Sequence, residues 1–539
     1  MRTKYVVVLG SLLSGLGKGI VTSSITKILS FYGYNAMPMK FDGYLNYDCG
    51  TMNPFRHGEV FVLDDKSEVD MDFGNYERFL GRDITGDFSL TGGKIFGTII
   101  SRERRGDFLG NDVQFIPHVT DYVINKIEET SKNHDLDVMI IEVGGTVGDI
   151  ESSYFIEAMR QLALRYETVF VDLTYVPKLD VVGEQKTKPT QLAIRSIMQS
   201  GITPNFIICR SADQLDEDVK TKIANFANIP RENVFDDHDL GSIYELPYHL
   251  MLQGFDKKLL GSLGLQRSKF GRKKYNAWSK RVERVSHRWS KSIIVSIVGK
   301  YTNLHDAYIS LKESLVHAAA EEGVNLSIRW VESEELENAG AGKIVSLLGG
   351  SNGLIVPGGF GSRGIEGMIK AIEYSRTNGI PYLGLCLGMQ LMSVEFARNV
   401  CGMKGANSTE FNRNTRYKII RLMDDQKTIK YKGGTMRLGL WPAKIKHGTA
   451  SYRAYGKGLV YERHRHRYEF NNAYRGRLEK AGLKISATTP NNMLVEMVEW
   501  KESFGIGTQA HPELRSKLEA PSPLFISFIR AAEAHGALA

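Results

Sequence analysis

The sequence predicts an α/β protein of two domains, each with a mostly parallel sheet flanked by helices. Three observations carry this. At 539 residues the chain exceeds what one hydrophobic core organises. Short apolar runs alternate with longer amphipathic ones in both halves, the pattern of strands joined by helical crossovers. A basic stretch at 261–291 interrupts the alternation and carries no buried-strand pattern. The domains are therefore placed at 1–265 and 292–539, with a linker at 266–291.

The first apolar run, 5–9, reads as a buried strand. A glycine-rich turn follows it, then a helical pattern over 18–31 and a second strand over 36–41. The runs VMIIEV (138–143), 169–173 and 206–209 continue the series. After the break, SIIVSIV (292–298), 354–356 and 382–385 are strands of the second sheet, the last two each running into a glycine turn. The linker is dense in Arg267, Lys269, Arg272, Lys273, Lys274, Lys280, Arg281, Arg284, Arg288 and Lys291. A solvated amphipathic helix explains that run, and a nucleic-acid arm is the alternative.

Composition narrows the class. The chain is 42% hydrophobic and 24% charged, with no biased tract, as in ordinary globular proteins. The net charge of +8 suits a protein handling polyanions as well as one binding nucleic acid. Cys49, Cys209, Cys386 and Cys401 show neither disulfide nor metal spacing, which favours a reducing compartment. No run reaches the ~20 apolar residues of a membrane span, so a cytoplasmic location is expected.

In the first half, GSLLSGLGKG (10–19) lies between the first strand and the first helix. Glycines there let backbone N–H groups close around phosphate oxygens at a helix N-terminus, with Lys18 reaching the outer phosphates. The segment departs from GxxxxGK[ST], because Gly19 stands where a hydroxyl usually helps hold Mg²⁺. A plain tight turn is the alternative. Carboxylates must then hold any metal. Asp72, in DMDFG, and Glu142, ending VMIIEV, are candidates, because a carboxylate at the C-terminal end of a parallel strand faces the ligand crevice. Solvated loop acids are the other reading. Lys186, Thr187, Lys188, Pro189, Thr190 and Gln191 form either a triphosphate clamp or an exposed turn.

In the second half, GLCLG (384–388) follows a strand and precedes a helical run. This is the cysteine form of the nucleophile elbow. The helix N-terminus favours the thiolate. The Leu387 N–H, with a second donor from the PGGFG turn at 357–361, would face a developing oxyanion. A cysteine nucleophile wants an oriented histidine base, and His511 with Glu513 supplies both. A buried structural thiol is the alternative for Cys386. The run Arg463, His464, Arg465, His466, Arg467 reads as anion binding or a packed ion-pair network rather than a metal site, since no third ligand is nearby.

These segments resemble a known family over nearly the whole chain. Cys386 in GLCLGMQ, with His511 and Glu513, is similar to the class I triad glutamine amidotransferases. SGLGKG, GTMNPFRHGEVFV, NYERFL, ERRGDFLG, GGTVGDIES and GEQKTKPTQ, followed by ANSTEF, GGTMRLG and ERHRHRYE, resemble the CTP synthases in order and spacing. The resemblance implies a P-loop-like synthetase domain fused to the amidotransferase. It implies ATP-dependent amination of UTP, with O4 phosphorylated and then displaced by ammonia released from glutamine.

It also implies residue roles. Ser14, Gly15, Leu16, Gly17, Lys18, Gly19 and Ile20 would form the phosphate loop, with Ser14 reaching UTP, and Lys40 would stabilise phosphoryl transfer. Asp72 and Glu142 would hold Mg²⁺. Asp149, Ile150, Glu151, the 186–191 clamp and Lys222 would line overlapping UTP and CTP sites. His238, Asp239 and Leu240 would meet adenine, and His57 would sit near an ammonia tunnel. Gly359, Leu387, Gly388, Met389, Gln390, Glu410 and Arg467 would bind glutamine. GTP would activate, with Arg363 involved, and CTP would inhibit. A homotetramer, able to polymerise into filaments, is expected, with no nucleic acid or membrane partner.

The sequence departs from the family pattern at Gly43, where proline is usual, at Ala510, where an aromatic residue is usual, and at Ser11, where glycine is common. None removes a group that does chemistry. Another amidotransferase-coupled ligase such as a cobyric acid synthase, an inactive filament protein and a nucleic-acid binder are the rival readings. KTKPTQ with GDIES, the intact triad, and the lack of a base-stacking platform weigh against them in turn.

Overall fold

The structure, a computed structural model, describes residues 2–179, 181, 183–265, 270–423, 426 and 433–538. Arg267 and Lys269 of the basic run lie outside them. The chain divides into two compact units, Met1–Asp48 with Asn75–Val282, and Cys49–Gly74 with Glu283–Ala539.

The first unit is built on a seven-stranded, wholly parallel sheet. In spatial order the strands are Val234–His238, Phe206–Ser211, Thr168–Tyr175, Lys4–Gly10, Val138–Val143, Ala36–Asp42 and Ser89–Thr91. Lys4–Gly10 is central, flanked by Thr168–Tyr175 and Val138–Val143, so nearly all its residues are buried. Strands covered on both faces read as continuous apolar runs, which is why they stand out in the sequence. One layer of core joins Val6 and Val8 to Ile25 and Leu29 of the helix Lys18–Phe31, and to Phe255 and Leu259.

The basic stretch becomes the helix Arg272–Ser286, amphipathic as the sequence suggests. Arg272, Lys273, Lys274 and Lys280 are exposed, while Trp278 and Val282 are buried. Trp278 packs against Phe79 and Tyr244, with the Lys27 ammonium 4.2 Å from its ring centroid. An indole between two aromatic rings and a cation gains area burial plus a directed electrostatic contact.

The second unit holds a nine-stranded mixed sheet. Five parallel strands come first: Asn325–Glu332, Ser292–Gly299, Gly353–Val356, Tyr382–Leu385 and Gly505–Thr508. Four antiparallel ones extend it: Val495–Glu499, Lys484–Thr488, Arg437–Ile445 and Leu459–His466. Alternate residues feed two cores. Leu354 and Val356 join Met389 and Met392 on one face, while Ile355, Leu383 and Leu385 meet Phe525 and Phe528 on the other. The antiparallel extension has no counterpart among the strands expected from apolar runs. Its strand Leu459–His466 carries Glu462, Arg463, His464 and His466, all buried.

Trp278→Ala is expected to destabilise the first unit by about 3–5 kcal/mol, the usual cost of truncating a buried aromatic. Calorimetry of the full chain would register this as a lower transition temperature. An unchanged transition would mean that the indole packing is dispensable.

Candidate functional site

In the second unit the strand Tyr382–Leu385 runs into Cys386, which adopts φ 49° and ψ −95° at the cap of the helix Leu387–Asn399. A non-glycine residue held there is strained, and neighbours must hold it in place. The Cys386 N–H donates to the Thr508 carbonyl at 2.7 Å, and the Gln390 N–H donates to the Cys386 carbonyl at 3.1 Å. The flanking glycines are required by space. A Cβ on Gly388 would lie 2.1 Å from the Val356 carbonyl oxygen, and one on Gly384 would lie 2.7 Å from the Gly388 carbonyl carbon. The turn is thus pressed against the neighbouring strand, with the Leu387 N–H, a first-turn donor, unused by the helix.

His511 and Glu513 come from the segment after the strand Gly505–Thr508. His511 Nδ1 lies 2.7 Å from Glu513 Oε1, and its Nε2 is buried. Burial pulls the imidazole pKa down, but the Glu513 carboxylate, with a further contribution from the neighbouring Cys386, outweighs it and raises it to about 10. Glu513 therefore favours a protonated ring. Gly358 makes room for that ring, since a Cβ there would lie 2.6 Å from His511 Cε1.

Cys386, His511 and Glu513 line one cavity of about 520 Å³ together with Gly358, Gly359 and Arg467. Its wall also includes Gly50, Thr51, Met52, Asn53 and Pro54, from the first half of the sequence. Arg467 donates to Gln426 Oε1 at 2.6 Å and to Thr435 Oγ1 at 3.0 Å. Leu387, Gly388, Met389 and Gln390 are buried in the first turn of the helix, and Gln390 Nε2 donates to the Tyr468 carbonyl at 3.1 Å. Glu410 accepts from the Gly361 N–H at 3.0 Å, and burial raises its carboxyl pKa. His57 is exposed at the end of the short helix Pro54–His57 and does not line this cavity.

The RHRHR run is a packed network. His464 Nδ1 and His466 Nε2 are 3.0 Å apart, and burial, helped by Arg437, holds both rings well below the ordinary histidine range. Arg463 Nε donates to Asp64 at 2.6 Å, and Arg465 Nε donates to Glu68 at 2.7 Å.

In the first unit Gly15 and Gly17 take φ of 77° and 98°. Here the backbone conformation, not crowding, calls for glycine, since a Cβ at either would meet nothing. Lys18 Nζ donates to the Gly145 carbonyl at 2.7 Å. A cavity of about 230 Å³ brings Gly15, Leu16, Gly17 and Ile20 together with His238 and Leu240, while Asp239 is exposed and paired with Arg210. Glu142 is buried at the end of the strand Val138–Val143. It accepts from the Tyr76 hydroxyl at 2.5 Å and lies 3.5 Å from Lys40 Nζ.

Asp149, Ile150 and Glu151 are exposed at the start of the turn Ile150–Ser152, and Ser14 is exposed in the loop. Thr187 caps the helix Lys188–Gln199, which begins with Lys188, Pro189, Thr190 and Gln191. Lys186 pairs with Glu184 at 2.5 Å, and Lys222 is exposed. The helix N-terminus adds an anion-favouring end to those lysines.

The family model described as CTP synthase N-terminus matches residues 4–265, and that described as glutamine amidotransferase class-I matches 303–531. The chain is 48% identical over 536 residues to a CTP synthase of Pyrococcus furiosus, covering 98% of each. The chain belongs to the CTP synthase family. A CTP synthase of Caldanaerobacter subterraneus is 47% identical over 532 residues, again covering 98% of each chain. A solved structure of the glutaminase domain of a Trypanosoma brucei CTPS, with bound acivicin, is 40% identical. It covers 44% of this chain and 93% of its own, with a TM-score of 0.42.

Three features of this CTP synthase family enzyme escape sequence reasoning. Lys300, just past the strand Ser292–Gly299, donates to the Phe360 carbonyl at 3.1 Å, and burial lowers its pKa to about 8. Gln509 Nε2 lies 3.5 Å from the Cys386 sulfur. The 50–54 wall joins the cavity from far away in sequence. None has a local pattern, although GTMNPF belongs to a segment that carries the family resemblance. Of the departures, Gly43 is closely packed, since a Cβ would lie 2.6 Å from the Glu151 carbonyl oxygen. Ser11 donates to Asp172 at 2.8 Å, and Ala510 is buried.

Glu513→Gln removes the charge that raises the His511 pKa, so that pKa is expected to fall. Glutamine hydrolysis should drop about 10²–10⁴-fold in kcat. A glutaminase pH profile checks both, and retention of more than a third of wild-type kcat would contradict the orienting role.

Proposed function

We propose that this chain makes CTP from UTP, using ATP and ammonia released from glutamine. The observation that carries the reading is the elbow cysteine beside the His511–Glu513 pair, in a chain that also holds a lysine-bearing glycine loop at a helix N-terminus.

The Cys386 sulfur attacks the glutamine side-chain carbonyl carbon. The Leu387 N–H and the Gly359 turn face the oxyanion, and His511 passes its proton to the departing ammonia. Water then cleaves the thioester, releasing glutamate and restoring the thiol. Arg467 suits the substrate carboxylate as a charge-assisted donor in the cavity wall.

In the synthetase half, O4 of UTP attacks the γ-phosphorus of ATP, releasing ADP. Ammonia adds at C4 and inorganic phosphate leaves. Lys18 and Lys40 balance charge on the transferring group, and the cavity holding His238 and Leu240 takes adenine. Glu142, a buried carboxylate already facing a cation, suits Mg²⁺, and the resemblance gives Asp72 the same role. The ion would neutralise phosphate charge. Asp149, Ile150, Glu151, the 186–191 segment and Lys222 bind UTP or, as feedback inhibitor, CTP. GTP activates glutamine hydrolysis with Arg363, which is held by Glu334 at 3.2 Å. The working form is a homotetramer that can polymerise into filaments.

Cys386→Ala should make CTP from added ammonia at near wild-type rate and none from glutamine, followed with UTP, ATP and Mg²⁺ present. CTP formation by neither protein from either nitrogen source would sink the assignment.

A further inference from the structure

Among the described residues, one set of three His, Cys, Asp or Glu side chains brings its ligand atoms within 4.8 Å of one another. It is Asp236, His238 and His249 in the first unit. Asp236 and His238 belong to the strand Val234–His238, two residues apart and so on the same face, and His249 comes from the helix Leu246–Leu252.

A single carboxylate oxygen, Asp236 Oδ2, faces both rings. It lies 2.6 Å from His238 Nδ1 and 3.3 Å from His249 Nε2. In a tetrahedral site with metal–ligand bonds of about 2.0–2.1 Å, ligand atoms stand about 3.3 Å apart. Of the two pairs that include the carboxylate oxygen, one is already at that spacing and the other must open by about 0.7 Å, while the two imidazole nitrogens lie within 4.8 Å of each other. Without a metal, an N–H of each imidazole can face the same oxygen. Ligating an ion through those nitrogens leaves each neutral ring its one proton on the other nitrogen, and the ion's charge is met by the Asp236 carboxylate.

The carboxylate is held as a ligand needs to be. Asp236 is buried, and its second oxygen accepts from the Leu215 N–H at 3.2 Å. Gln253 clamps the Asp236 backbone at both N–H and carbonyl, each at 2.8 Å, and also donates to the His249 carbonyl at 3.3 Å. One glutamine thus fixes the two elements that supply the ligands, the outer-shell support that metal sites use. Asp237 and Asp239 flank the cluster, and Arg210 is paired to both. His238 also lines the cavity shared with the glycine loop, which gives an ion a route in.

We propose that Asp236, His238 and His249 bind a divalent transition metal of the zinc, cobalt or nickel type. Two imidazole nitrogens and one carboxylate oxygen select against Mg²⁺, which prefers oxygen. The site is separate from the carboxylates assigned to Mg²⁺, and it would fix the His238 ring in the wall of the cavity.

The test uses the full chain carrying Cys386→Ala, so that the thiol cannot compete, stripped with chelator and titrated with Co²⁺. Expected is one Co²⁺ per chain with visible d–d absorption, unmoved by a large excess of Mg²⁺. Adding His249→Gln should weaken Co²⁺ and Zn²⁺ binding by about 100-fold or more, since losing even an outer-shell partner costs about 10–100-fold. Circular dichroism confirms the fold, and His238→Gln serves if His249→Gln unfolds. Failure of the Cys386→Ala chain to bind Co²⁺, or equal binding by the folded histidine variant, would overturn the site.

Discussion

The amidotransferase site depends on one buried guanidinium. Arg463 has no exposed surface, yet it donates to Asp64 and, at 3.0 Å, to the Leu514 carbonyl. Its own carbonyl accepts from the His511 N–H at 2.8 Å. A charge buried in this way is tolerable only while every partner is in place, and removing one leaves a desolvation cost of several kcal/mol. The same residue therefore sets the height of the base and anchors the carboxylate-bearing turn behind it. Asp64 is tied in further by its carbonyl, which accepts from the Leu440 N–H at 3.2 Å.

The nucleophile is positioned by the opposite means, the absence of side chains. Gly388 lets the helix start against Val356, Gly384 lets the strand pass beneath it, and Gly358 admits the imidazole edge. Polar order on one side and bare backbone on the other converge on one cavity. Lys300 adds a cation beside the glycine turn, its ammonium held by the Phe360 and Gly361 carbonyls.

What the sequence made legible follows from these two kinds of order. Parallel strands such as Lys4–Gly10 and Val138–Val143 are apolar on both faces, and they appear with the helix Lys18–Phe31 much as they read. The elbow was legible because its glycines are adjacent to its cysteine. The strand Leu459–His466 was not, because charged residues buried by pairing look the same in sequence as charged residues in water. The strand Ser89–Thr91 is too short for periodicity to announce it, whereas Gly353–Val356 appears within one residue of its expected limits. The Asp236 cluster was illegible for a different reason. His249 lies on another element, and only folding brings it to the strand.

The segment Cys49–Gly74 leaves the first unit's stretch of chain and returns to it after contributing to the second. The polypeptide therefore changes units three times rather than once. A gene fragment beginning at the strand Ser292–Gly299 would encode the whole triad but not the wall at 50–54, nor the acids that neutralise Arg463 and Arg465. Its cavity would open to solvent, and two guanidinium groups would have to find water in place of carboxylates. The second unit thus draws on two separate stretches of sequence, and no single cut in the chain keeps the 50–54 wall together with the triad.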